Sequence, residues 1–152
     1  MDYRRFDNVI YAKFKQGEEI LEDLKEICEK EDIRLASVQG LGACSRATVG
    51  VYDVANKEYH SRDIEGTLEL VSLTGNVTRD DSNEVYLHCH AMFSSLEEDG
   101  TITCCGGHLS SAVISATGEI VITVSNGSVG RVYSPQLGLN LWKFRPFIDC
   151  NC

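Results

Sequence analysis

Proline is nearly missing from this chain: Pro135 and Pro146 are the only two in 152 residues. That excludes a proline-rich linker and argues for one continuous domain over residues 1–152, a length sufficient to bury a core. Long apolar runs are also missing. No stretch approaches the roughly 20 consecutive apolar residues of a membrane-spanning helix. Met1-Asp2-Tyr3-Arg4-Arg5 leads into no apolar segment of the kind that directs secretion, so the chain reads as cytosolic and without a membrane partner. Basic runs are lacking too. The 14 Lys and Arg residues are scattered, acidic residues number 23, and the net charge is −9. An acidic protein is poorly suited to phosphate neutralisation, which weighs against a large nucleic-acid surface. Seven cysteines are an odd number, so they do not form an even disulfide framework, and a cytosolic chain keeps its thiols reduced.

Enzyme signatures are equally scarce. No G-x-S-x-G elbow accompanies Ser110-Ser111, so a hydrolase triad has no support. Gly40-Leu41-Gly42 lacks the third glycine and the following helix of a dinucleotide loop. It reads as a tight backbone segment suited to lining a pocket.

The pattern that is present is α+β. Residues 8–14 read as a first strand. Ile20, Leu21, Leu24, Ile27 and Cys28 form one apolar stripe at helical period, which predicts a helix over residues 18–30. Acidic residues open that helix and lysines close it, in the order the helix dipole favours. After it, short Val-, Leu- and Tyr-rich segments punctuated by glycine predict strands at 35–38, 47–52, 68–73, 85–93, 112–115, 120–124, 131–133 and 141–144. The expected architecture is a mostly antiparallel sheet with one flanking helix.

Chemistry concentrates in the segment Val85-Tyr86-Leu87-His88-Cys89-His90-Ala91-Met92-Phe93. Residues two apart on a strand face the same side, roughly 7 Å apart. His88 and His90 therefore project together, while Val85, Leu87, Cys89, Ala91 and Phe93 face the core. His108 follows Gly106-Gly107, and the two glycines would permit a sharp turn aiming it at the pair. Leu96-Glu97-Glu98-Asp99-Gly100 is the polar connection expected between antiparallel neighbours. Three imidazoles with an open fourth position form a common zinc arrangement. The alternative is a polar face whose imidazoles bond to backbone or to one another. Cys105 is the candidate fourth ligand and would close the site into a structural one. Glu119, read as lying in a Gly118-Glu119 turn, is the candidate general base or hydrogen-bond partner of a ligating imidazole, against the simpler reading of an exposed carboxylate. His60 reads as a solvated loop residue, and Cys150-Asn151-Cys152 as a free tail.

At these residues the sequence resembles the PPC (plants and prokaryotes conserved) domain family. Leu87-His88-Cys89-His90 and Gly106-Gly107-His108-Leu109 are similar to its L-H-x-H and G-G-H-L motifs. Gln39-Gly40-Leu41-Gly42-Ala43 resembles its small-residue segment, and Glu69 to Asn76 its E-L-x-S-L-x-G-N strand. Cys104-Cys105 and Ser110-Ser111 depart from the pattern without removing a histidine. The resemblance implies an antiparallel sheet with a flanking helix, a homotrimer, a metal site at His88, His90 and His108, and the DNA-binding role commonly ascribed to the family. No AT-hook is present, so DNA binding through that element does not transfer. Three functions follow as expectations: a DNA-binding or regulatory domain, a zinc-dependent enzyme or small-molecule binder with its site near a trimer interface, and a structural zinc protein. Zinc is the metal expected, with other transition metals able to use the same ligands.

Overall fold

The computed structural model describes residues 1–144. Eight strands and one helix follow in the order β1 (Asp2–Phe6), β2 (Val9–Lys15), α1 (Ile20–Lys30), β3 (Ala36–Asp53), β4 (Glu58–Arg79), β5 (Val85–Leu96), β6 (Ile102–Val124), β7 (Gly130–Ser134) and β8 (Leu139–Lys143). Every pairing is antiparallel. The main sheet runs β1-β2-β6-β3-β4-β5, and β6 also pairs with β5. Strands β3, β4, β5 and β6 thereby close a circuit. Strand β6 makes this possible by its length: its first residues pair with β5, its last with β2, and most of it with β3.

Helix α1 covers the predicted apolar stripe. Ile20, Leu24, Ile27 and Cys28 are fully buried against the sheet, each large side chain contributing about 1.5–3 kcal/mol by burial. The helix begins two residues later than the sequence suggests because Glu19 caps it. One Glu19 oxygen accepts from the Glu22 backbone N–H, and the other from Ala112 N on β6, both at 2.7 Å. Arg79 ties the far end to the sheet, with Nε donating to the Ile33 carbonyl at 2.9 Å.

Several strands read as short are long. The expected strands at 35–38 and 47–52 are one strand, β3, and Gly40-Leu41-Gly42 is extended backbone within it. The expected strands at 112–115 and 120–124 are likewise one, β6, with no turn at Gly118-Glu119. A Cβ on Gly42 would overlap the Thr117 carbonyl of β6, and one on Gly40 or Gly118 would press on the Ile120 or Ile114 side chain. These glycines mark close approach rather than chain reversal. Strand β4 extends back through His60, which is exposed on a strand with Asp53 and Glu58 within 3.7 Å, rather than in a loop. The hairpin β1-β2, turning at Asp7 with φ 52°, adds a strand not expected from the sequence.

Strands β7 and β8 form a separate two-stranded ribbon. Its turn is fastened to the β3-β4 turn, Tyr52 Oη donating to the Leu137 carbonyl and Lys57 Nζ to the Pro135 carbonyl, both at 2.7 Å. No helix among the described residues is long and apolar enough to cross a membrane.

Candidate metal centre

Strand period does for β5 what the sequence predicts. Val85, Cys89, Ala91 and Phe93 are buried in the core, with Leu87 partly so, and His88 and His90 lie on the opposite face. His108 reaches them by register. It pairs directly with His90, while Gly107 pairs with Ala91 and Gly106 with Met92. The three rings form a nearly even triangle, with centroids 5.2 Å apart for His88–His90, 5.3 Å for His88–His108 and 5.6 Å for His90–His108. One ligand nitrogen from each lies within 4.8 Å of the others, a spacing that one ion can bridge.

The glycines before His108 act differently from the expected turn. Gly106 and Gly107 are extended residues inside β6. A Cβ on Gly107 would overlap the Gly50 carbonyl of β3, and one on Gly106 would overlap the Ala91 carbonyl of β5. Their bare backbones let β6 lie close to both neighbours, which brings His108 beside His90.

The electrostatics favour a neutral imidazole at His88 and at His108. Burial holds His88 below its ordinary 6.5, helped by His90 and Arg131. Burial likewise lowers His108, helped by His88 and His90. A neutral imidazole is the metal-binding form. His108 Nδ1 is buried and has no hydrogen-bond partner. A nitrogen shielded from water and left without a protein partner fits the role of a metal ligand better than that of a member of a hydrogen-bonded polar face.

The two accessory candidates are elsewhere. Cys105 pairs with Phe93, on the core-facing side of β5 and β6, and packs against the core. The structure does not bring it to the histidines. Glu119 pairs with Lys13 and Leu41. It is eleven residues along an extended strand from His108, roughly 30 Å or more at about 3.3 Å per residue. It is an exposed side chain at the other end of the sheet. The tail candidates Cys150 and Cys152 lie outside the described residues.

A cavity of about 390 Å³ opens beside His88 and His108. Tyr59, Tyr86, Arg131 and Trp142 contribute to its wall. The Tyr59 ring lies 5.0 Å from that of His108. Arg131 is buried, with its guanidinium 4.3 Å above the Tyr86 ring. Asn76, the β4 partner of His88, accepts from Arg131 Nη2 at 2.7 Å and from Trp142 Nε1 at 3.4 Å. Among these, Asn76 falls within the motif-bearing strand of β4. Tyr59, Arg131 and Trp142 carry no local motif, and only the fold of the β7-β8 ribbon brings the last two to the histidines. A larger cavity of about 950 Å³, lined by Tyr11, Leu41 and Val71, lies elsewhere on the sheet and contains none of the three histidines.

Residues 1–126 match the Plants and Prokaryotes Conserved (PCC) domain. A presumed DNA-binding protein from Bacteroides thetaiotaomicron superposes with a TM-score of 0.86 at 29% identity, over 94% of this chain and 96% of that one. A metal-containing protein from Archaeoglobus fulgidus gives 0.78 at 29%, over 94% and 97%. A plant- and prokaryote-conserved protein from Pyrococcus horikoshii gives 0.76 at 28%, over 95% and 94%. No curated protein sequence matches the chain.

Proposed function

Because the chain belongs to the Plants and Prokaryotes Conserved domain family, we propose that it is a metal-binding member that holds zinc at His88, His90 and His108 and uses the open side of that ion to bind a small molecule. The observation that carries this reading is the buried, unpartnered Nδ1 of His108 within a triad of converging imidazoles beside a cavity. The metal-containing Archaeoglobus relative supports the same reading. A bound ion at such a site supplies Lewis acidity to an oxygen donor. The chain itself contributes orientation and exclusion of water. Strand β5 fixes His88 and His90, strand β6 fixes His108, and the aromatic walls shield one side.

An open site is favoured over a closed structural one because no fourth protein ligand joins the triad among the described residues. Cobalt(II) loading tests this. An open position makes the visible spectrum of the bound ion respond to a small anion that displaces water, whereas a spectrum indifferent to such anions overturns the reading.

The DNA-binding role presumed for the Bacteroides relative is not carried over, because a net charge of −9 with scattered basic residues weighs against a large phosphate-binding face. The homotrimer implied by family resemblance belongs to this proposal. The exposed Tyr11, Leu41 and Val71 along the larger cavity support self-association, and light scattering on the purified protein measures it.

A further inference from the structure

The β7-β8 ribbon lies outside the part of the chain that matches the family, yet it walls the cavity beside the histidines. What it brings there is a cation. Arg131 is only 5% exposed. Its Nε donates to Thr78 Oγ1 at 2.8 Å, Nη2 to Asn76 Oδ1 at 2.7 Å and Nη1 to the Asn140 carbonyl at 3.3 Å. These partners are all neutral. No carboxylate pairs with Arg131 among the described residues. A buried guanidinium without an anion is costly. Three of its five N–H groups are engaged, which leaves two, the number that one carboxylate accepts in a bidentate pair.

Position gives the unpaired charge a meaning. Tyr86 lies under the guanidinium and His88 follows two residues along β5 on the same face, a step of roughly 7 Å. An oxygen on zinc at ~2.1 Å and a carboxylate on Arg131 at ~2.8 Å would together span most of that step. A short acid of about two to four carbons bridges the rest. The walls between are aromatic and apolar, with Tyr59, Leu141 and Trp142 among them. They suit a carbon skeleton better than inorganic phosphate.

We infer that this pocket binds a small organic carboxylate, anchored by its carboxylate on Arg131 and presenting a hydroxyl or carbonyl oxygen toward the three-histidine site. The inference rests on the metal reading above for its second half, while the carboxylate anchor stands on the pocket alone.

The protein carries its own reporter. Trp142 is the single tryptophan. It is the cross-strand partner of Arg131 and lines the cavity. Lactate and 3-hydroxybutyrate should change its emission saturably in the zinc-loaded protein, and their primary amides should act at least tenfold more weakly. Arg131→Gln should weaken the acids at least tenfold while zinc content, measured on the same samples, stays unchanged. The comparison of acid with amide uses the unaltered chain, so it decides the matter even if Arg131→Gln fails to fold. Equal responses to acid and amide overturn the inference. So does a response to inorganic phosphate with none to either acid, or silence toward both acids up to ~10 mM, the weak end of specific binding. If the unaltered chain retains no zinc, it is the metal reading that fails. The carboxylate anchor is then judged in the metal-free protein, where discrimination of acid from amide supports it and its absence overturns it.

Discussion

His90 and His108 are direct cross-strand partners, 18 positions apart in sequence and one ladder step apart in space, with ring centroids separated by 5.6 Å. The pairing exists because β6 approaches β5 and β3 on glycine backbone. The histidine cluster is therefore a consequence of strand register, and it depends on Gly107 as well as on the histidines themselves.

Gly107→Ala tests that relation. Its Cβ would overlap the Gly50 carbonyl, and backbone on a paired strand cannot swing aside as a side chain would. The substitution should cost about 1–3 kcal/mol, as overpacking does, and displace His108 enough to lower zinc retention. Urea unfolding together with metal analysis measures both. A variant within ~0.5 kcal/mol of the parent and retaining full zinc contradicts the close-approach account.

The metal-free protein should lose stability on acidification below neutrality. His88 and His108 have folded-state pKa values below the ordinary 6.5, chiefly through burial. The unfolded chain therefore takes up protons more readily than the folded one. Stability from these groups is complete above 6.5 and falls as the pH drops from there toward the lower folded values. Urea midpoints of the apoprotein between about pH 5 and 8 should show this slope, and His108→Gln should flatten it. An unchanged slope in that variant places the pH dependence elsewhere.

The cysteines divide by burial. The thiols of Cys28 and Cys89 are pushed up to about 12, and that of Cys44 to about 11, by removal from water. Cys104 is exposed. Alkylation near pH 8, mapped by peptide mass, should label Cys104 in the native protein and reach Cys28, Cys44 and Cys89 only on unfolding. Native labelling of Cys89 at the rate of Cys104 would show that the core side of β5 is open.

Duplex DNA should not bind detectably at ~50 mM salt, where phosphate contacts are still strong. A gel shift at that salt which vanishes steeply as salt rises would reveal a basic face that the scattered Lys and Arg residues do not suggest.

The legible part of this molecule is the part written in local period. The stripe from Ile20 to Cys28 gave the helix, and the alternation from Val85 to Phe93 separated the histidine face from the core. His108 was legible as the third histidine of the cluster, but the route to it was not. Paired glycines suggest a turn when read alone, and only the neighbours Gly50 and Ala91 reveal that they serve close packing. The same ambiguity divided β3 and β6 into shorter strands. Strand parity explains the misplaced accessory groups. Cys105 is an odd number of residues from His108 and faces the core, while Glu119 was drawn near by a turn that does not form. Arg131 was out of reach because its meaning depends on Asn76, Thr78 and Tyr86, more than 40 positions earlier.

Zinc content is the most direct test of the central claim. Protein loaded with zinc and passed through a desalting column should retain about one ion per chain, as a three-histidine site implies. His88→Ala, His90→Ala and His108→Ala should each lose nearly all of it, while His60→Ala, outside the triad, should keep it. A His90→Ala protein that folds and still carries a full equivalent of zinc contradicts the account.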